Sequence, residues 1–238
     1  MGQSRSFEFH RAGSRLFYES MITSPPNASI RTELKRSWQD IQTRDQQELF
    51  LIGVLVGATS LDDKDMLREW MPECQSVLSQ VEIEEAVLQT MLFAGFPKTI
   101  EALKVLREYF PAPVEPKQVS NHTKAGEATS KKVYGVHHSR LKEVMDELHP
   151  DLTRWMIEDG YGRVLSRPGL NLQKREIGVI TSLMASGMIN QFRAHVRGAV
   201  NTGIHQVDII WFTNIFKCII APDLREAFDQ VVQQILDV

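Results

Sequence analysis

The sequence predicts an all-α protein built as two tandem helical repeats. Three observations point to helices. Apolar residues recur at helical spacing through two long blocks, about 47–110 and 151–238. Short apolar runs such as LFLIGVLVG continue at that spacing and are not closed by hairpin turns. Helix-breaking prolines, finally, fall in register between the two blocks.

Residues 1–40 read as an N-terminal arm. Arg5, Arg11 and Arg15 stand among aromatic and serine residues, while Glu8 and Glu19 depart from the acid-poor composition of a transit peptide. The opening MGQSRS fits the loose myristoylation pattern, with Gly2 and Ser6 in place. Residues 41–110 read as a first helical repeat. Residues 111–135 read as polar linker, because Pro111, Pro113 and Pro116 block a helix and the Lys, Thr, Ser and Gly that follow offer little apolar surface. Residues 136–238 read as a second repeat. Within it a helix is expected from about Leu172 through Met184, with a break near Gly187 and a restart at Asn190, a good N-cap residue. Glu176 and His195 then sit on neighbouring antiparallel helices, where a carboxylate can hydrogen-bond an imidazole and set its tautomer and basicity.

The two blocks align on each other without a gap. The offset that carries Ile52, Gly53 and Val54 onto Ile177, Gly178 and Val179 also carries Arg68 onto Arg193, and Pro97, Glu101 and Ala102 onto Pro222, Glu226 and Ala227. It places Leu51 opposite Glu176 and Trp70 opposite His195. Acid-base capacity survives in the second copy alone, and the first reads as scaffold.

Composition narrows the function classes. The 238 residues are 42% hydrophobic, enough for a sizeable core, and the net charge of −3 gives no electrostatic footprint for nucleic acid. No window has the unbroken apolar length of a membrane span. Cys74 and Cys218 belong to no CxxC, so disulfide, zinc and dithiol frameworks lack ligands and a reducing compartment is expected, cytoplasmic first and mitochondrial as the alternative. No metal and no cofactor are expected, and Met188 is expected to pack in the core.

The segment from Asp151 to Ile204 resembles the carboxymuconolactone decarboxylase family. It carries YG at Tyr161 and Gly162, RPGL from Arg167 to Leu170, RE at Arg175 and Glu176, Q-x-x-x-H from Gln191 to His195, and GAVNTG from Gly198 to Gly203. The first block is similar mainly from Glu82 to Leu103, where the family has a helix, an AGFP turn and a second helix. The resemblance implies the alkylhydroperoxidase D-like fold and a trimeric or hexameric homo-oligomer. In the dithiol relatives the glutamate and histidine are joined by two cysteines, whose positions here hold Met188 and Gln191. A thioether and an amide cannot form the thiolate or disulfide of peroxide reduction.

The pattern therefore leans to decarboxylation of a small carboxylated unsaturated lactone. Loss of CO₂ leaves a dienolate that must be protonated on carbon, and His195 held by Glu176 is the expected acid. Arg193 or Arg175 is expected to hold a substrate carboxylate, Gln191 to reach a lactone oxygen, and Tyr161 to line the pocket mouth. Two other readings stay open: a non-catalytic oligomeric scaffold or ligand-binding protein of the same fold, and a peroxide-handling role for Cys74 or Cys218.

Overall fold

A computed structural model describes residues 27–115 and 119–236, and among these every regular element is helical. The possible myristoylation site and the arginines of the arm lie outside the described residues. No helix of the described residues is long and apolar enough to cross a membrane.

The expected arm ends in structure. Its residues Asn27–Gln39 form α1, in which Ile30 and Leu34, one turn apart, are buried and Trp38 packs behind them. Arg31 reaches from α1 to Asp63 through Nη2 at 2.8 Å and Nε at 3.2 Å. Asp63 in turn caps α3, Lys64–Val77, by accepting from the Met66 amide.

The centre of the molecule is the pair α2, Arg44–Leu61, and α9, Leu172–Ser186, whose middle turns are buried all round. A helix buried on every face belongs inside a helical assembly, and these two pack on each other, with Ser60 Oγ 3.0 Å from Ser182 Oγ. Each is followed by three further helical segments in the same order. After α2 come α3, α4 at Gln80–Gln89 and α5 at Met91–Tyr109, which kinks at Gly95 (φ 81°) within the AGFP sequence. After α9 come α10 at Ile189–Asn201, α11 at Gln206–Phe216 and, past two short 3₁₀ turns, α12 at Arg225–Leu236.

The stretch 111–135 is not linker throughout. His122–Tyr134 forms α6, capped by Asn121, and packs along a π-helical segment, Met156–Leu165. The contact is backbone on backbone: a Cβ at Gly126 would lie 1.9 Å from the Ile157 carbonyl oxygen, and one at Gly162 only 2.2 Å from that of His122. Small residues that bring no apolar surface are here the packing surface, because they let two helices approach closely. Ser130 and Thr129 bond onward to His138 Nε2 (2.9 Å) and Ser166 Oγ (2.6 Å), and Val133 is fully buried. Between α6 and the π segment run α7, His138–Leu148, and α8, Pro150–Trp155.

Candidate active site

Glu176 lies in the second turn of α9, whose first turn is capped by the Asn171 side chain on the Lys174 amide. The helix ends at Gly187, whose left-handed φ of 70° suits glycine, and α10 begins after Met188. Met188, not Asn190, is thus the N-cap residue of α10. It makes no side-chain cap bond and is half exposed instead of buried in the core, because the chain reverses there at the surface.

Two turns into α10, His195 Nδ1 lies 2.9 Å from Glu176 Oε2. Glu176 is wholly buried and its other oxygen, Oε1, has no hydrogen-bond partner. His195 keeps 6% of its surface exposed. Room for the carboxylate comes from Gly198, three residues after the histidine: a Cβ there would sit 2.7 Å from Glu176 Oε2. With Nδ1 committed to the carboxylate, Nε2 is the ring nitrogen left to give or take a proton.

Tyr161 is almost fully buried, and its hydroxyl donates to that of Tyr134 at 2.9 Å. The Tyr134 ring stands edge-on to His195, centroids 5.9 Å apart, and Phe93 approaches the imidazole from α5 at 6.4 Å. Burial pushes the Tyr134 phenol up to about 12; the Tyr161 hydrogen bond works against this and the Glu176 charge works with it. Burial likewise raises Tyr161 well above the ordinary phenol range. Both tyrosines are neutral donors at physiological pH.

A phenol held above its unfolded value stabilises the fold while protonated. The contribution is present below about pH 10, the ordinary phenol value, and is lost as pH rises toward about 12. Denaturant midpoints should therefore fall between these limits, and Tyr134→Phe should flatten the decline. An unchanged profile in the variant would remove Tyr134 from the account.

The other expected substrate residues are placed differently. Arg175 turns away from His195 to α4, where Nη2 meets Glu85 at 2.9 Å and the Arg167 carbonyl at 2.7 Å, and Nη1 meets Gln89 at 3.3 Å. Consecutive residues on a helix point about 100° apart, and here Glu176 bonds to His195 on α10 while Arg175 bonds to Glu85 and Gln89 on α4. Arg193 donates to Gln234 on α12 at 2.8 Å, and Gln191 is exposed. Tyr134 and Phe93 join the imidazole without having been singled out. The one sign of Tyr134 was that Tyr134–Gly135 repeats the Tyr161–Gly162 dipeptide.

In the first block the corresponding place is filled. Leu51 and Trp70 are buried, and the Trp70 ring lies edge-on to Trp38 at 5.9 Å and tilted on Phe50 at 5.4 Å. The cysteines are equally inert. Both are buried and free; burial pushes the Cys74 thiol up and that of Cys218 up to about 12, the reverse of a nucleophilic thiolate. A disulfide reagent at pH 8 should leave both unmodified in the native protein and label both in denaturant. Labelling of the native chain within minutes would reopen the peroxide reading.

No family model matches the chain. It is 26% identical over 141 residues to Peroxisomal protein 2 of Schizosaccharomyces pombe, covering 56% of this chain and 66% of that one. It is 31% identical over 68 residues to the 4-carboxymuconolactone decarboxylase of Acinetobacter baylyi, covering 29% of this chain and 51% of that enzyme. The chain thus spans less than two thirds of either relative. Distant similarity to a carboxymuconolactone decarboxylase, on an all-α fold compatible with it, is what the comparisons establish.

Proposed function

We propose that the chain is a cofactor-independent decarboxylase, or a closely related lyase or isomerase, acting on a small carboxylated unsaturated lactone-type metabolite. The buried 2.9 Å pair of Glu176 and His195 carries the reading, and the similarity to the 4-carboxymuconolactone decarboxylase supports it.

The bond from ring carbon to carboxylate breaks, and its electron pair delocalises into the unsaturated lactone as a dienolate. His195 Nε2 delivers a proton to carbon, that electron pair forms the new C–H bond, and a solvent proton restores the imidazole. Glu176 holds the ring through Nδ1 and balances the imidazolium charge. Tyr134 and Tyr161, kept protonated, supply hydroxyl dipoles beside the developing oxyanion.

Carboxylated lactones and β-keto acids screened for CO₂ release, beside the His195→Ala variant, test the reading. Release that survives the variant unchanged would leave the pair a structural one and favour an oligomeric scaffold. A homo-oligomer, trimer or hexamer, follows from the resemblance and is read by light scattering. The relative named for the peroxisome supports imaging the tagged chain there as well as in the cytoplasm.

A further inference from the structure

A cavity of about 450 Å³ opens between α4, α5 and the segment 113–115, with Arg167 and Pro168 as its floor. Its volume falls in the range of small-molecule sites, about 300–1,000 Å³. Val81, Leu88, Ile100 and Leu103 give it an apolar wall, with Ile100 48% exposed.

Glu84, Glu85 and Glu115 match Lys104, Arg107 and Arg167 in number along the lining, and Arg175 stands behind the floor as a further cation. Glu85, nearly buried, accepts from Arg167 through Nε (3.0 Å to each oxygen) and Nη2 (2.7 Å), and also from Arg175 Nη2 at 2.9 Å. Two guanidinium groups thus share one carboxylate. Arg175 is 1% exposed and its Nε is buried without a partner. On the adjacent wall Arg107 pairs with Glu84 through Nη2, and its Nη1 is buried and unpartnered. Glu84 also accepts from Gln80 Nε2 and the Val114 amide at 3.0 Å each. The opposite imbalance, Lys174 between Glu48 and Glu82, belongs elsewhere: Glu48 and Lys174 line a separate cavity with Asp45 and Asp208. At the rim Lys104 is paired with Glu101, and Glu115 is exposed to solvent.

Uncompensated positive charge and orphaned N–H groups are costly to bury, and an anion offsets both. We infer that this cavity is a second small-molecule site, separate from the Glu176 and His195 pair, for an apolar carboxylate whose head meets Arg167 and Arg107 and whose tail lies on Ile100 and Leu103. It goes beyond the proposed reaction and does not depend on it.

Octanoate is the probe, with octanol and octylammonium as uncharged and cationic comparators, titrated calorimetrically into the full-length protein. Octanoate is expected to bind with unit stoichiometry and to raise the thermal midpoint, ahead of both comparators. Arg167→Met leaves Glu85 and Arg175 as a balanced pair, so it should fold, keep octanol binding and weaken octanoate about tenfold to a hundredfold, the usual size of a lost charge-assisted hydrogen bond. Ile100→Trp, which fills the exposed side of the cavity, should remove both ligands. Octanol binding as tightly as octanoate, octanoate binding unmoved by either variant, or no octanoate binding to the wild type would each overturn the inference. CO₂ release should be unaffected by Arg167→Met, so a failure here is read separately from a failure of the decarboxylase reading.

Discussion

Replacing His195 by alanine is expected to lower CO₂ release from the responding substrate by about 10²–10⁴-fold, the range a positioned general acid contributes. The same change should destabilise the fold by about 1–3 kcal/mol or more, because it leaves the fully buried Glu176 without its hydrogen-bond partner. The two effects separate with further variants. Glu176→Gln keeps the shape and can still accept from Nδ1, so it should fold while losing much of the rate. Glu176→Leu combined with His195→Ala removes the charge and its partner together, and should be more stable than His195→Ala alone. A double variant no more stable than the single one would mean that the carboxylate is not the source of the strain.

Gly126→Ala should be among the most damaging changes far from the candidate site. The added carbon would lie 1.9 Å from the Ile157 carbonyl oxygen, a backbone atom that cannot swing aside, and overpacking of this kind costs about 1–3 kcal/mol or more. For a chain of this size that corresponds to a fall in Tm of roughly 2–4 °C per kcal/mol. Gly160→Ala is the control, since its Cβ would meet nothing nearer than the Trp155 carbonyl oxygen at 3.9 Å. Equal melting temperatures for the two variants would show that α6 and the π segment can part without cost. Because α6 ends in Tyr134, loss of that contact should also disturb the hydroxyl pair beside His195.

Much of the helical order was legible, for reasons that residues show. The periodicity of 47–110 and 151–238 marks a buried stripe on the outer helices and continuous burial on α2 and α9, and both are local properties of sequence. The contact between Glu176 and His195 was accessible too, since both belong to consecutive helices joined by a turn with a glycine at its left-handed position. Long-range partners were not. Arg175 is indistinguishable in sequence from a substrate arginine, and only the placement of Glu85, 90 residues away, decides its direction. Tyr134 was hidden for another reason: it ends a segment whose glycine, serine and threonine look like linker to any measure of apolar content. Close backbone approach needs an absence of side chain, and composition cannot distinguish that need from flexibility. α1 was missed similarly, with Ile30 and Leu34 carrying a stripe too short to stand out from the arm.

Trp70 and Leu51, filling in the first block the place held by His195 and Glu176 in the second, bear on how this chain can change over time. The first half sets Leu51 and the Trp70 ring among apolar groups, with the neutral Trp70 indole N–H buried and unpartnered where the second half has a carboxylate oxygen, so it carries no buried charge at that place and its packing is a reserve of stability for the whole cooperative unit. The polar half draws on that reserve, since most substitutions destabilise and a protein tolerates them only above its folding threshold. Substitutions around His195 should therefore be tolerated with less risk of unfolding than the buried carboxylate alone would allow. Substitutions at Leu51 or Trp70 should narrow that tolerance first.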